Sequence, residues 1–460
     1  MAKYKAYPEY KDSGVEWLGE IPLHWNILSG KTLFHRVLTT AFKSDEHLAA
    51  SQKYGVIPQS LMMIKNDSKV MLALKGTDSF RHVEKNNFVI SLRSFEGGIE
   101  YSQYSGCVSP AYTVLTHAKP ISYEYYRHLL KCTPFIANLQ ASTDSMREGK
   151  SISYEQFGAL YLPLTSINEQ NMIATFINDE TAKIDNLLQK QQQLIELLKE
   201  KRQALISHIV TKGLNPDTPL KDSGIEWLGK IPQHWRISKL RYCFSFGKGL
   251  TITKENLQEE GIPCINYGEI HSKYGFEVNP KIHHLKCISE SYKRGNLESL
   301  LSFGDLIFAD TSEDVAGSGN FSQLVCEANI FAGYHTIIVR PERKKNYRYY
   351  AYIMDGPAFR TQVQYSVKGV KVFSITQSLL RGLTIWLPPD NEQARITAFL
   401  DNKTAKIDTL IQKQLQQIEL LKERRTALIA AAVTGKIDLR DWAPPAISVD
   451  ANLPAEEAIA

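Results

Sequence analysis

At 460 residues the chain is long enough for two or more globular units, and a hydrophobic content of 43% excludes an intrinsically disordered protein. It contains no run of 18 or more apolar residues and no apolar leader at its N-terminus, so we expect neither a membrane span nor a secretory signal and place the protein in the cytoplasm. The formal net charge of +5 permits a nucleic-acid partner without requiring one.

The six cysteines are scattered along the chain, with neither a C-x-x-C pair nor a histidine at zinc-ligand spacing. They are Cys107, Cys132, Cys243, Cys264, Cys287 and Cys326. Disulfides need an oxidising compartment and structural zinc needs clustered ligands. The sequence therefore predicts free thiols and no metal site.

A repeated motif organises the chain. KDSGVEWLGEIPLHW at Lys11–Trp25 recurs as KDSGIEWLGKIPQHW at Lys221–Trp235, and twelve of the fifteen aligned positions are identical. The two copies lie 210 residues apart. Unrelated segments would match at only about one or two positions, so the motif indicates an internal duplication.

The block that follows the first motif runs from Trp25 to Leu162 and predicts a mixed α/β globule. Its strand-like runs are Val70–Leu74, Phe88–Leu92 and Ala111–Leu115. Basic and hydrogen-bonding residues gather in its loops, at Arg93, Ser94, Glu96, Arg147 and Lys150. Such residues can contact nucleic-acid bases, although each one alone is equally well explained as an ordinary surface residue.

A long helix is predicted next, from Asn168 to Gly213, with a twin from Asn391 to Gly435. Each opens with the sequence N-E-Q after a proline and closes at a glycine, which suits a capped start and a stop. TAKID and IELLKE occur in both helices, 223 residues apart. The duplication therefore includes the helices.

Apolar residues recur along both helices with a spacing that predicts pairing with another helix. The proposed contact positions are Ile177, Ile184, Leu187, Leu194, Leu198 and Leu205 in the first helix, and Leu400, Ile407, Leu410, Leu421 and Leu428 in the second. Gln191 and Gln414 occupy equivalent inward positions. The two helices are each other's obvious partners. We favour an antiparallel pair over a parallel one, because it relates the two halves by a pseudo-two-fold axis.

The second variable block, from Trp235 to Leu387, has strand-like runs at Leu306–Ala309 and His335–Arg340. No similarity to the first block is evident in its sequence. Its loop residues that suit base contacts are Asn266, Tyr267, Glu269, His271, Lys368 and Lys371. Duplicated flanks around unlike blocks suggest two analogous tasks on two different targets.

Signatures of catalysis are missing. There is no phosphate-binding P-loop, no glycine-rich dinucleotide fingerprint and no amino-methyltransferase tetrapeptide. The acids in GDLIFADTSEDVAG (304–317) lack the lysine that a nuclease site needs, and we interpret them as turn residues or base acceptors. His24 and His234 belong to the repeated motif and are interpreted as structural.

Taken together, the twin KDSG-[VI]-EWLG-x-IP-x-HW motifs, the LP…NEQ helix entries and the TAKID…IELLKE helices resemble the specificity subunits of type I restriction–modification systems. The resemblance implies an α+β fold, with two mixed α/β target-recognition domains joined by two long helices in an antiparallel coiled coil. The expected boundaries are 1–165 and 214–389 for these domains, 166–213 and 390–436 for the helices, and 437–460 for a disordered tail.

Membership implies a non-catalytic subunit that recognises a bipartite site on double-stranded DNA. Two methyltransferase subunits and the restriction (translocase–nuclease) subunits would be its protein partners. S-adenosylmethionine, ATP and magnesium would then be bound by the partners, and this chain would bind no cofactor and no metal. The half-sites would lie about one helical turn, roughly 10 bp, apart.

Three other interpretations remain open on the sequence. One is a specificity subunit of another restriction class that pairs with a fused methyltransferase–nuclease. A second is a coiled-coil scaffold that binds only proteins. The third is an autonomous methyltransferase, which methyl transfer by the purified chain alone would reveal.

Overall fold

The computed structural model describes residues 4–66, 79–142, 152–343, 345–367, 369 and 372–444. Its contacts divide the chain into two compact units. The first unit comprises residues 1–192 and 416–460, and the second comprises residues 193–415. Each unit therefore combines one variable block with one half of each long helix.

Among its described residues, the first unit begins with twelve strands and six short helices and continues into the first long helix. The strands are β1 (Tyr10–Asp12), β2 (Glu20–Pro22), β3 (Asn26–Ser29), β4 (Phe34–Arg36), β5 (Leu48–Ser51), β6 (Gly55–Pro58), β7 (Arg81–Val83), β8 (Phe88–Ile90), β9 (Glu100–Tyr101), β10 (Gly106–Val108), β11 (Thr113–His117) and β12 (Tyr161–Leu164). The helices are α1 (Gly30–Leu33), α2 (Gln59–Asn66), α3 (Ser94–Gly97), α4 (Tyr123–Leu129), α5 (Thr133–Ala141), α6 (Tyr154–Ala159) and the long α7 (Ile167–Lys212).

The second unit continues with fourteen strands, four short helices and the second long helix among its described residues. The strands are β13 (Leu220–Asp222), β14 (Lys230–Pro232), β15 (Arg236–Lys239), β16 (Phe244–Lys248), β17 (Ile262–Ile265), β18 (Phe276–Val278), β19 (Cys287–Ile288), β20 (Leu306–Ala309), β21 (Thr311–Ser312), β22 (Phe321–Leu324), β23 (Phe331–Ala332), β24 (Thr336–Pro341), β25 (Phe373–Ser374) and β26 (Thr384–Leu387). The helices are α8 (Tyr267–Ser272), α9 (Tyr347–Asp355), α10 (Pro357–Ser366), α11 (Gln377–Gly382) and the long α12 (Asp390–Val433).

The main sheets of the two variable blocks share the arrangement of three strands, although the block sequences show no evident similarity. The main sheet of the first unit has the order β4–β11–β8–β9, and that of the second has the order β16–β24–β20–β22–β18. In both, the first, second and third strands of that order pair antiparallel, and a ribbon of four paired residues (β3 with β12, β15 with β26) precedes the long helix. The second sheet adds β18, which runs parallel to β22.

The predicted strands fall where the buried runs are. β8 and β20 are buried along their whole length, as expected for strands in the centre of a sheet. The run at Ala111–Leu115 contributes to β11 and the run at His335–Arg340 contributes to β24. The run predicted at Val70–Leu74 lies outside the described residues.

The long helices pair antiparallel, as predicted. In the first unit Arg425, near the end of α12, donates to Asp185, in the first half of α7, at 2.9 Å. In the second unit Arg202, in the second half of α7, donates to Asp408, in the first half of α12, at 3.0 Å. A glycine with a left-handed backbone follows each helix, Gly213 (φ 78°) directly after α7 and Gly435 (φ 74°) two residues after the end of α12.

Three of the predicted pairing positions are wrong. Leu187, Leu194 and Leu410 are 46%, 40% and 45% exposed. The buried positions along each helix are instead spaced by four residues and then by three. The second buried position of each seven-residue repeat therefore follows the first by four residues and not by three. The other predicted positions, and the residues that replace the three, are buried or half-buried: Ile177, Ile184, Leu188, Ile195, Leu198 and Leu205 in α7, and Leu400, Ile407, Ile411, Ile418, Leu421 and Leu428 in α12.

Each unit has its own core, to which both long helices contribute. In the first, Trp25, Phe34 and Tyr125 pack with the end of α12 at Val433. In the second, Trp235 and Trp386 pack with Val210 and Leu400. All six cysteines are free thiols. In the part of the chain that the structure describes, no helix is both long enough and apolar enough to cross a membrane.

Candidate nucleic-acid interface

The repeated motif of the first unit closes around the glutamate that opens α7. Glu169 accepts hydrogen bonds from Trp25 Nε1 at 3.1 Å and from the Tyr7 hydroxyl at 2.7 Å, and His24 Nε2 lies 2.9 Å away. Burial would raise the pKa of Glu169, but these bonds and one from Thr165 outweigh it, so the pKa is lowered. The carboxylate therefore fastens the motif to the long helix.

The second unit repeats this arrangement with fewer donors. His234 Nε2 lies 2.6 Å from Glu392, and Trp235 Nε1 donates to the same carboxylate at 3.2 Å. The interpretation of His24 and His234 as structural agrees with these contacts. The motif serves as a clip that holds each block on the N-terminal end of a long helix.

The C-terminal ends of the long helices meet the blocks through equivalent carbonyls. Tyr125 donates its hydroxyl proton to the carbonyl of Val433 at 2.8 Å in the first unit. Trp386 Nε1 donates to the carbonyl of Val210 at 2.6 Å in the second. Val210 and Val433 are 223 residues apart, so the repeat satisfies the same unpaired helix-end carbonyl twice.

Three of the residues predicted to contact bases in the first unit, Arg93, Ser94 and Glu96, lie at one edge of its sheet, directly after β8. Arg93 and Glu96 are exposed there. Ser94 is buried, and its hydroxyl accepts from the amide of Ser91 at 2.8 Å. The prediction for Ser94 is therefore wrong, because a turn within the chain occupies its oxygen.

A hairpin that sequence reasoning missed completes this edge. The tip between β5 and β6 carries Gln52, Lys53 and Tyr54, and Gln52 Nε2 donates to Glu96 at 3.4 Å. The ammonium groups of Lys53 and Lys65 lie 5.0 and 4.8 Å from the centre of the Tyr54 ring. We call Gln52, Lys53, Tyr54, Lys65 and Arg93 the Tyr54 patch.

In the second unit, the prediction that Asn266 and Glu269 contact bases is wrong. Asn266 is 1% exposed and caps helix α8, while Glu269 accepts from the amide of Asn266 at 2.8 Å. The pair forms a capping box, which uses the same oxygens that a base would need. Asn266 Oδ1 also accepts from the amide of Tyr334 at 3.2 Å.

The prediction for His271 is also wrong, because both of its ring nitrogens are occupied. Nε2 donates to the carbonyl of Thr311 at 2.8 Å, and Nδ1 accepts from the side-chain amide of Asn320 at 2.9 Å. This pairing fixes one tautomer of the neutral imidazole. His271 therefore supports the loop that follows β20.

The open groups at this edge are aromatic and ionisable. Tyr267, which was predicted as a contact, is half-buried, and its ring lies 5.6 Å from that of Tyr334 and 5.3 Å from that of His335. His335 Nδ1 lies 3.1 Å from Asp310, and the histidine side chain is 55% exposed. We call Tyr267, Asp310, Tyr334 and His335 the His335 patch. The sequence held a sign of this patch, since Asp310 directly follows the run predicted as a strand at Leu306–Ala309 and His335 begins the run predicted at His335–Arg340.

The two patches occupy the same edge of equivalent sheets. Asp310 follows β20 as Ser91 follows β8, and His335 precedes β24 as Tyr112 precedes β11. The remaining predicted contacts, Arg147, Lys150, Lys368 and Lys371, lie outside the described residues. Strand β25, which follows Lys371 closely in the sequence, pairs with β21. The chain therefore returns there to the sheet edge at Thr311, the residue whose carbonyl accepts from His271.

Asp305 and Asp314, two of the four acids of 304–317, form hydrogen bonds within the segment's own unit. Asp305 is 1% exposed and accepts from Arg340 Nε at 3.0 Å. Asp314 accepts from the amide of Gly317, in keeping with the interpretation as a turn acid. Over the described ranges, no three His, Cys, Asp or Glu side chains gather as a set of metal ligands would.

Comparison with known proteins gives one family model. Residues 232–420 match the type I restriction modification DNA specificity domain. The chain is 22% identical over 289 residues to the type I restriction enzyme MjaVIII specificity subunit of Methanocaldococcus jannaschii, covering 62% of this chain and 64% of that protein. It is 23% identical over 215 residues to the EcoKI specificity subunit of Escherichia coli K12, covering 45% and 44%. The matches thus span less than two thirds of each relative's length.

Solved structures show the same fold. A chain from a structure of the assembly and conformational transition of the type I R-M system has a TM-score of 0.66 at 16% identity, covering 91% of this chain and 99% of that one. The HsdS subunit of Thermoanaerobacter tengcongensis has a TM-score of 0.52 at 15% identity, covering 91% and 98%.

Proposed function

We propose that the chain is a specificity subunit of a type I restriction–modification system and that it recognises a bipartite DNA target through its two units. Each unit would contact one half-site with the sheet edge that carries the Tyr54 patch or the His335 patch. The chain itself would catalyse nothing. Methyl transfer with S-adenosylmethionine, and cleavage with ATP and magnesium, would belong to partner subunits.

One observation carries this proposal: the two units repeat the same scaffold but present different side chains at the same edge. The clip around Glu169 has its counterpart at Glu392, and the Asp185–Arg425 bond has its counterpart in Asp408–Arg202. These repeated contacts fix each block on the long helices in the same way, whereas the side chains at the sheet edge differ between the two units. A duplicated frame with two unlike surfaces suits a target made of two unlike half-sites.

The Tyr54 patch has the chemistry of a DNA contact. Lys53, Lys65 and Arg93 supply positive charge for phosphates, which makes binding sensitive to salt. Arg93 and Gln52 have the side chains that pair with guanine and adenine in the major groove. Each good bidentate pair would discriminate against the wrong base by about 1–3 kcal/mol.

The His335 patch offers neutral hydrogen-bonding groups and one carboxylate in place of lysines. The hydroxyls of Tyr267 and Tyr334 and the ring of His335 can donate, and Asp310 can accept from a cytosine amino group. Binding at the second half-site should therefore depend less on salt than binding at the first, as far as the described residues determine it.

Exposed leucines on the long helices support the docking of partner subunits in two copies. Leu187 and Leu410 are repeat equivalents, as are Leu197 and Leu420, and all four are 45–60% exposed. The first unit holds one member of each pair and the second holds the other. We propose that two methyltransferase subunits bind there and that restriction subunits join them.

Block exchange tests the proposal. The full chain, with Trp25–Leu162 replaced by the corresponding block of another specificity subunit, is expressed with its methyltransferase partner, and the methylated sequences of the host chromosome are read. We expect one half of the methylated sequence to change and the other to remain. A matched exchange of Trp235–Leu387 should change the opposite half. Changes in both halves from either exchange would defeat the assignment of one half-site to each unit.

Helix length tests the spacing between the half-sites. Insertion of one heptad at Gln191 and another at Gln414 preserves the seam and lengthens each helix by about 10 Å. We expect the unread spacer of the methylated sequence to lengthen by about 3 bp. An unchanged spacer would show that the helices do not set it.

A further inference from the structure

Lys131 links the helical side of the first block to the hairpin that carries the Tyr54 patch. It lies in the turn between α4 and α5, and its side chain is 27% exposed. Its ammonium donates to Glu100 Oε2 at 2.6 Å and to the backbone carbonyl of Gln52 at 2.9 Å. One side chain therefore connects three parts of the block.

The partner carboxylate explains why this link is held in place. The Glu100 side chain is 2% exposed, and burial raises its pKa, against which the charge and hydrogen bond of Lys131 act. A buried carboxylate without a cation is costly, so the ammonium is kept at this position. The same ammonium also donates to the backbone carbonyl of Gln52, at the tip of the hairpin.

The tip also approaches the turn of α3. A Cβ added at Gly97 would lie 2.8 Å from the side-chain carbons of Gln52, so alanine there would displace this exposed side chain. The Gln52 side chain thus lies against α3, while its backbone carbonyl is held by the Lys131 ammonium.

We infer that Lys131 is a positioning residue for recognition of the first half-site: through the Gln52 carbonyl it fixes the hairpin tip that presents the Tyr54 patch to DNA. It acts through Gln52 and touches no base itself. This inference rests on the proposed function. Preorganisation of a contact surface by a supporting residue is what allows such a surface to discriminate between similar ligands.

The second unit contains a natural contrast. In the repeat of the Y-x-Y-Y sequence (Tyr123–Tyr126 and Tyr347–Tyr350), the position equivalent to Lys131 is Asp355. Asp355 pairs with Arg202 of the long helix at 3.5 Å, so it is directed to the helix pair and not to the sheet edge. Loss of the Lys131 link should therefore affect the first half-site alone.

The test uses Lys131→Met in the full chain, expressed with its methyltransferase partner. Discrimination is measured for each position of the recognised sequence. It is the ratio of methylation of sites that carry the correct base at that position to methylation of sites that carry a wrong base there. We expect this ratio to fall about tenfold or more at the first half-site and to stay within twofold at the second. Lys131→Arg, which keeps a cation, should restore most of it.

Two further variants separate positioning from a general loss of stability. Lys131→Met with Glu100→Gln removes the buried charge together with its partner, so the melting temperature should recover while discrimination at the first half-site stays low. Gly97→Ala displaces the Gln52 side chain and leaves the Lys131–Glu100 pair intact, and it should give the same selective loss.

Some outcomes would overturn the inference. Wild-type discrimination in the folded double variant and in Gly97→Ala would show that the tip needs no fixing, and an equal loss at both half-sites would show a general defect. The proposed function is judged separately. If block exchange moves one half-site while these variants change nothing, only the role of Lys131 is lost. If neither has an effect on the methylated sequence, the proposed function falls as well.

Discussion

The two units solve one structural problem in two ways. In the second unit the chain runs without a break from the end of α7, through residues 213–219, into the motif that begins at β13. In the first unit the corresponding place is filled by two separate stretches, the residues before β1 and those after α12. A covalent connection in one unit is replaced by side-chain and backbone contacts in the other.

Those contacts are specific. The amide of Asp438 donates to the carbonyl of Lys5 at 2.8 Å, and the Tyr10 hydroxyl donates to the carbonyl of Gly435 at 3.2 Å. Trp442 packs edge-to-face on Phe176, with 5.4 Å between the ring centres. The frame of each unit therefore needs this junction to be closed, either by the continuous chain or by packing between two stretches. The first unit should therefore be the more vulnerable to changes near the termini.

Truncation after Lys436 should have the largest effect. It removes Ile437 and Leu439, which are each 2% exposed, and the half-buried Trp442. We expect the first unit to lose about 5 kcal/mol, from about 1.5–3 kcal/mol for each buried aliphatic side chain and the remainder for the tryptophan. Amide hydrogen exchange in increasing urea, read separately for each unit, measures the loss. A chain ending at Pro444 is the control and should match the full chain. An equal loss in the second unit would contradict the comparison.

Equivalent arginines should give an intermediate effect. Arg202 is 19% exposed and pairs with both Asp408 and Asp355, whereas Arg425 is 39% exposed and pairs with Asp185 alone. Arg202→Met removes the ion-pair partner of the poorly exposed Asp355 and leaves only the more distant charges of Arg360 and Arg348 to act on it, so we expect a loss of about 2–3 kcal/mol. Arg425→Met should cost less than about 1 kcal/mol, as exposed ion pairs do. Thermal unfolding of both variants measures the difference, and equal losses would show that the bond to Asp355 adds nothing.

Local signals in the sequence predicted much of the frame. The duplicated motif, the glycine stops at Gly213 and Gly435 and the buried runs of β8 and β20 all depend on residues close to one another in the chain. The common strand arrangement in the main sheets of the two blocks was missed. The repeated Y-x-Y-Y sequence at Tyr123–Tyr126 and Tyr347–Tyr350, 224 residues apart, was the available sign.

The interface was harder to predict, for physical reasons. Asn266 and Glu269 have the right chemistry for bases, but N-x-x-E before a helix also forms a capping box, and the local bonds win. The Tyr54 patch depends on a hairpin tip approaching Gly97, 45 residues away from Gln52 in the chain. In the helices, a repeat of seven residues leaves open whether the second buried row follows by three or by four positions, and packing decides it.

The smallest effect should come from Tyr7, which has no counterpart in the clip of the second unit, since Asp217 takes its position in the repeat. Tyr7→Phe removes one of the hydrogen bonds that lower the pKa of Glu169, and we expect a loss of about 1.5 kcal/mol in the free energy of unfolding at neutral pH.

The pKa of Glu169 in the folded protein lies below its ordinary value of 4.5. The stabilisation that its carboxylate contributes is therefore complete above pH 4.5 and is lost as the pH falls through the folded pKa. In Tyr7→Phe the folded pKa moves back upward, so the difference between the variant and the wild type should shrink as the acid range below pH 4.5 is entered. Urea unfolding at a series of pH values, read by hydrogen exchange in the first unit, checks this. A difference that stays constant down to the acid limit would show that Tyr7 stabilises the unit by packing alone, and that the extra donor does not distinguish this clip from the one around Glu392.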